Sequence, residues 1–288
     1  MKHTCILLFT VAMFIGCSHS DPNNFKEKLQ GDWITLKSNS EANEHTNCWG
    51  CYPLFSFEDD QCIYISADDK YSSYSIEKDT LIIKVGWNSS NGSSKFLKLY
   101  IQNITKNELT LIPSDETKKY FRDHIRKIGY DEFQLEKVRM KTTIPFERIG
   151  FYSTACLGKC PKMYMEIDSD GNILFDGKIY TDKKGLHKGT ISSRELMLLK
   201  QKYSAISIEN LKKVYTSNVD CVSTLGMMIK ANDRIYSTRI EGDNEVPTEV
   251  KLLVSKLMGL YRNATLTQDS TVSGQFQFKE FMKGGVGE

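Results

Sequence analysis

From Asp32 to Val138 the chain breaks into short runs of alternating apolar and polar residues, and the gaps between several of them leave room only for tight turns. This punctuation constrains the fold more than any other feature. Leu54 to Glu58 and Gln61 to Ser66 are separated by Asp59-Asp60 alone, and Tyr71 to Glu77 and Thr80 to Val85 by Lys78-Asp79. Connections that short join antiparallel strands, because a parallel pair needs a long crossover. Asp32 to Lys37, Phe96 to Asn103, Glu108 to Pro113 and Phe133 to Val138 bring the expected count to about eight strands, with a helix-like stretch at Thr117 to Ile128. Alternation is clear in Leu97, Leu99 and Ile101 and again in Leu109 and Leu111, which assigns those side chains to one face. A meander of this length closes into an all-β antiparallel barrel and so leaves no exposed edge.

The pattern changes after Lys137 to Pro145, a polar stretch with no core periodicity. Phe146 to Ser153 reads as a strand. Tyr164 to Ile167 and Ile173 to Asp176 flank the turn signal Asp168 to Gly171, and Gly177 to Tyr180 extends the second of these. A short strand at Gly189 to Ile191 leads to Ser192, which starts a helix carrying Leu196, Leu199 and Tyr203. Ile208 to Leu211 is a short helical piece. Val222 to Ile229 and Arg234 to Ile240 form a hairpin about Asn232-Asp233, and Pro247 opens a helix with Val250, Leu253, Leu257 and Leu260 on one face, a favoured place for proline. The second half is therefore expected to be α+β, with two hairpins and two main helices. Residues 263–288 are polar with scattered Phe276, Phe278 and Phe281. They read as a flexible tail whose phenylalanines are available to dock on a neighbouring surface.

At the N-terminus, Lys2 and His3 precede an apolar run from Cys5 to Gly16. At about a dozen residues it is shorter than the roughly 20 that a membrane-spanning helix takes, and it has the length of a secretory signal core. Ile15-Gly16-Cys17 resembles the lipobox of bacterial lipoproteins, with Phe14 in place of the more usual leucine. The resemblance implies a signal peptide over 1–16, diacylation of Cys17 and a polar tether over 17–24. Two acyl chains hold a protein stably at a bilayer. The expected location is the cell envelope, most naturally the outer membrane, with the membrane as a partner through Cys17.

Cysteine chemistry follows from that address, since disulfides are the default for neighbouring cysteines in an oxidising compartment. Cys48 and Cys51 lie in the long loop from Ser38 to Pro53. A turn at Asp59-Asp60 sets Cys62 opposite Phe57 and puts Cys51 roughly 20 Å away at about 3.3 Å per residue, beyond the reach of a disulfide. Cys48–Cys51 is thus expected to bond as a local clip, leaving Cys62 a buried thiol. Cys156 and Cys160, four apart around Gly158, are expected to pair, although a bridge from Cys221 to one of them is the open alternative. Cys48-Trp49-Gly50-Cys51 also has the spacing of a thiol-redox motif, but catalytic versions open a helix, and this one runs into Pro53 and a strand.

An eight-stranded barrel is either filled by side chains or holds one small molecule. Trp33, Phe55, Phe57, Tyr64, Tyr74 and Phe96 are the candidate lining of such a pocket, which would carry a small apolar ligand. Catalytic signals are weak. His187 is a lone histidine in a glycine-rich loop, and Asp168, Asp170 and Gly171 start like a calcium loop without its terminal glutamate. No catalytic residue, metal ligand or cofactor is assigned. The formal net charge is +2, far from the dense basic face that nucleic acid requires.

Gly31-Asp32-Trp33 resembles the Gly-x-Trp opening of lipocalin-like domains, and "YSIEKDTLII" and "IQNITKNELTLI" resemble phrases in lipocalin-like lipoproteins of the Bacteroidota. That likeness covers residues 25–139 and implies a lipocalin-like barrel. In the second half, Cys156-x-Gly158-x-Cys160-Pro161 with Tyr164, Gly177, Ser192, Tyr215, Asp220 and Pro247 resembles the DUF6438 family, a domain of unknown function, over 146–262. The resulting expectation is a non-enzymatic binding or interaction module on a lipid tether. Its partner would be an envelope protein or, in the carrier reading, a small apolar molecule. A thiol oxidoreductase using Cys48 and Cys51 is the alternative from the enzyme class.

Overall fold

The structure, a computed structural model, describes residues 22–35, 54–64, 72–85, 95–124, 131–216, 223–242 and 246–278. Helix α1 (Pro22–Leu29) precedes strands β1 (Gly31–Thr35), β2 (Leu54–Glu58), β3 (Gln61–Tyr64), β4 (Ser72–Glu77), β5 (Thr80–Val85), β6 (Lys95–Ile104), β7 (Glu108–Pro113) and β8 (Phe133–Lys137). Helix α2 (Asp115–His124) lies between β7 and β8. Each strand is antiparallel to the next, and β1 pairs with both β2 and β8, so the sheet closes. The tight turns are where the spacing placed them. Asp59 and Lys78 sit at positive φ, 55° and 58°, the conformation that short hairpin connections demand.

Alternation decides what fills the barrel. Leu81, Ile83 and Val85 on β5, Leu97, Leu99 and Ile101 on β6, and Leu109 and Leu111 on β7 are all buried. Leu29 of α1 and Phe121 of α2 enter the same cluster. The Trp33 indole N–H donates to the Leu29 carbonyl at 2.7 Å, which satisfies a polar group that burial would otherwise leave costly. Helix α2 starts at Ser114, whose hydroxyl accepts from the Thr117 amide at 3.2 Å, an N-cap. Cys62 lies opposite Phe57 and is a buried free thiol, as the hairpin geometry requires.

The second half contains β9 (Arg148–Ser153), β10 (Lys162–Asp168), β11 (Asn172–Ile179), β12 (Gly185–Thr190), helix α3 (Ser193–Ser204), β13 (Val214–Thr216), β14 (Leu225–Ala231), β15 (Arg234–Glu241), helix α4 (Thr248–Asn263) and β16 (Thr265–Gln268). These strands form one eight-stranded sheet in the order β13-β15-β14-β9-β10-β11-β12-β16. The two expected hairpins are therefore not separate units, because β9 pairs with β10 on one side and β14 on the other. Strand β13 runs parallel to β15, a pairing that no short-range pattern announces. Ser192 caps α3 by accepting from the Glu195 amide. Ile149, Phe151, Met165, Ile173, Phe175, Met227 and Ile229 from the sheet share a core with Leu199, Tyr203, Leu253 and Leu257 from the helices.

The expectation of a flexible tail after Asn263 is corrected for the described residues. Thr265–Gln268 forms β16 against β12, so Gly189 faces the Thr265 backbone at a distance no side chain tolerates. A short helical turn at Ser270–Gly274 follows, and Phe278 is buried. The reason is long-range. Edge strand β12 offers unpaired backbone groups, and the outer face of the sheet offers apolar surface.

The two halves meet through buried charge. The Lys202 ammonium on α3 donates to Asp32 of β1 and, at 3.0 Å, to the Ser56 hydroxyl of β2. Glu58 lies 3.5 Å from Lys202 and 3.7 Å from Lys256 of α4, and Lys256 also pairs with Glu195 at 3.1 Å. Ser56, Glu58, Lys202 and Lys256 are all buried. At the rim, Arg194 pairs with Asp59 at 2.6 Å between two exposed side chains.

Two predictions follow from this packing. Lys202→Ala takes the cation from Asp32 and leaves Glu58 only Lys256, 3.7 Å away; it is expected to lower the unfolding free energy by about 3–5 kcal/mol, whereas Arg194→Ala should cost under about 1 kcal/mol. Urea titration of both variants checks the contrast, and similar losses would contradict it. Burial pushes the Cys62 thiol up to about 12, so it stays protonated at pH 8 and a thiolate-directed reagent cannot attack it. Peptide mapping after alkylation should find Cys62 unmodified in the native protein and modified once the protein is unfolded.

Candidate functional site

One face of the second sheet is covered by α3 and α4; the other carries Arg148, Gly150 and Tyr152 of β9, Tyr164 and Glu166 of β10, and Gly226 and Met228 of β14. Cross-strand register sets these side by side: Tyr152 opposite Tyr164 and Gly226, and Gly150 opposite Glu166 and Met228. Two glycines shape the surface. A side chain at Gly226 would fall inside the Tyr152 ring, and one at Gly150 would meet Phe278 at 2.7 Å and Met228 at 3.1 Å. Their absence lets the Tyr152 ring lie over β14 and opens a cradle above Gly150. Tyr152, Tyr164, Met228 and Phe278 form a small buried cluster with Phe276 against it.

Glu166 is at the centre, 0% exposed. Its two oxygens accept from successive backbone amides, Phe278 at 2.7 Å and Gln277 at 2.9 Å. The Tyr164 hydroxyl donates to it, and the Arg148 guanidinium donates at 3.4 Å. A buried carboxylate is tolerable only with such partners. Burial, and then the neighbouring Glu166, push the Tyr164 phenol well above its usual range, which keeps it a donor. The Phe276 ring lies 4.9 Å from that of Tyr164.

A second surface lies at the end of the sheet where β10 begins and β11 ends. The Cys156–Cys160 disulfide is present, with Cα atoms 5.5 Å apart, and it closes the loop between β9 and β10. Leu157 within that loop is 86% exposed. Ile179, opposite Lys162 in the register, and Tyr180 are exposed at the same end.

The residues singled out for a barrel pocket divide. Trp33, Phe55, Phe57 and Tyr74 are buried, and the last three meet other rings. Phe55 lies 5.5 Å from Phe133 and 6.1 Å from Phe57, and Phe57 lies 5.3 Å from Tyr74. Tyr64 packs at the margin of the same core. Phe96 is a correction: it is 52% exposed, because Leu97, Leu99 and Ile101 take the inward positions of β6 and the residue before them must point out.

Cys17, Cys48, Cys51 and Cys221 lie outside the described residues, and with them the lipidation, local-clip and redox readings. His187, read as a loop residue, belongs to β12 and is buried beside Phe175. Among the described residues no group of three or more His, Cys, Asp or Glu side chains is placed to hold a metal ion, and no helix is long and apolar enough to cross a membrane. Glu166 escaped the sequence reading; for the strap over it, residues 275–278, the docking of Phe276 and Phe278 was expected but not its place. The one available signal was alternation in β10, which sets Tyr164 and Glu166 on the face opposite Met163, Met165 and Ile167.

The cysteine pair and Tyr164 are among the features that led to a family expectation for this half, and residues 147–261 match the family model described as a domain of unknown function, DUF6438. These residues are a DUF6438 domain. The DUF6438 match ends within α4, so β16 and the strap lie beyond it. No curated protein matches the chain, and no solved structure does.

Asp269 ties the short helical turn at Ser270–Gly274 that precedes the strap. Its carboxylate accepts from the Thr271 amide at 2.9 Å and pairs with Lys188 at 2.6 Å, and these bonds lower its pKa to about 2. A depressed carboxylate adds stability above its unfolded pKa, near 3.8, and loses it as pH falls through the folded value. The stability difference between wild type and Asp269→Asn should therefore be constant above about pH 5 and shrink between about pH 4 and pH 2. A difference that does not change over that window would contradict the assignment.

Proposed function

We propose that the protein is a lipid-anchored lipoprotein of the cell envelope, most naturally of the outer membrane. In this reading it acts without catalysis, as a binding and interaction module built from a lipocalin-like barrel and the DUF6438 domain. The anchor is Cys17, and the partner is an envelope protein. The apolar run ending in Ile15-Gly16-Cys17 supports the address. The observation that carries the binding role is Leu157. A leucine exposed almost completely, on a loop closed by the Cys156–Cys160 bond, is preorganised for contact, and preorganisation lowers the entropic cost of association. Ile179 and Tyr180 are exposed at the same end of the sheet. Small near-neutral net charge accords with a protein partner and gives no support to a nucleic-acid one.

Two variants test the reading. Metabolic labelling with an alkyne fatty acid should mark the wild-type chain and leave Cys17→Ser unlabelled; equal labelling would remove the anchor. Leu157→Asp should change stability by no more than about 0.5 kcal/mol, as expected for an exposed site. It should nevertheless reduce the envelope proteins recovered by cross-linking to the full acylated chain. If recovery is unchanged, the loop is not the docking element.

A further inference from the structure

The strap over Glu166 is held in a way that suits a removable segment. Residues 275–278 belong to no strand of the sheet, so no ladder of paired backbone groups binds them. Two features of their hold stand out. Successive amides of Gln277 and Phe278 share the two oxygens of one carboxylate, a contact that reads backbone and is indifferent to the side chain between. Phe278, 2% exposed, fills the cradle above Gly150, and Phe276 lies on Tyr164. Sequence selectivity thus reduces to two aromatic rings one residue apart. The receiving surface belongs to β9, β10 and β14 and is built without the strap. Gly150 and Gly226 remove side chains, Tyr152 and Tyr164 form the walls, and Glu166 is the fixed acceptor at the base.

We propose that this face of the DUF6438 domain is a binding site for an extended peptide segment of aromatic-x-aromatic pattern on a partner protein, and that residues 275–278 occupy it in cis as a latch. A backbone-reading carboxylate with aromatic pockets for alternate side chains combines two recurring modes of peptide recognition. The partner competes with Gln277 and Phe278 for Glu166 and with Phe278 for the Gly150 cradle. This inference rests on the reading of the chain as an interaction module, but neither on its anchor nor on the Leu157 loop.

The test uses the full chain and a fluorescein-labelled peptide with the sequence of residues 273–281. A site filled in cis binds in trans with an affinity lowered by its open fraction. The double variant Phe276→Ala/Phe278→Ala should therefore bind the peptide at least about tenfold more tightly than wild type. Adding Glu166→Gln should abolish the gain, because one of the two accepting oxygens becomes an NH2 donor that faces a backbone N–H. Equal or absent binding by wild type and the double variant, with Met165 of β10 still protected from hydrogen exchange, would overturn the proposal. So would wild-type dimerisation by exchange of the strap, which would put a second copy in the groove. A measurement on the unaltered chain is independent of any folding defect. The amides of Gln277 and Phe278 should exchange at least about tenfold faster than that of Met165, as expected of a local opening. If they exchange together with Met165, the strap opens only when the domain unfolds and is no latch. Failure of the peptide titration leaves the Leu157 cross-linking result untouched, and the reverse also holds.

Discussion

A lysine ammonium removed from water must find opposite charge, and Lys202 finds it on the other domain. Helix α3 carries it, but Asp32 and Ser56 of the barrel receive its hydrogen bonds, and Glu58 stands nearby. The effective desolvation cost of one buried ion is several kcal/mol. Separating the halves would leave these carboxylates facing each other without their cations, or would rehydrate the whole set at the expense of every contact around it. Lys256 extends the constraint, since it bridges Glu58 of the barrel and Glu195 of α3. The polar joint is therefore less a source of net stability than a device of register. It fixes which face of the α3–α4 pair meets the outer face of β1 and β2.

A second constraint acts within the DUF6438 domain. A sheet with an apolar outer surface cannot remain bare in water. Two helices cover one face, and the centre of the other is closed by the strap. The glycines at 150 and 226 make sense only together with what lies over them, the Phe278 and Tyr152 rings. Glu166 then converts a hydrophobic contact into a directional one, because its oxygens fix where the Gln277 and Phe278 amides must lie.

Much of this architecture was legible in the order of residues, and the part that was not shares one physical cause. Turns are local, so Asp59-Asp60, Lys78-Asp79 and Asn232-Asp233 could be read directly, and the alternation of Leu97, Leu99 and Ile101 gave the inward face of β6. The same alternation contradicts an inward Phe96, because a residue next to the inward Leu97 has the opposite parity. Spacing favoured the Cys156–Cys160 pair but left a bridge from Cys221 open, and the structure shows the local bond. The parallel pairing of Tyr215 with Ile240, the docking of β16 on β12, and the burial of Lys202, Lys256 and Glu166 depend on surfaces brought together from distant segments. Lys202 follows Leu199 by three residues and so shares its side of α3. A helix lysine reads as solvated until the barrel supplies Asp32. The candidate site suffered most, since both Glu166 and its strap acquire meaning only from each other across more than a hundred residues of chain.

If the joint works as described, the barrel and the DUF6438 domain are one cooperative unit, and the surfaces on the second half are presented in a fixed relation to the first. Differential scanning calorimetry of the full chain examines this most directly. The structure predicts one transition whose calorimetric and van't Hoff enthalpies agree. Two resolved transitions, one for each domain, unaffected by Lys202→Ala, would contradict it.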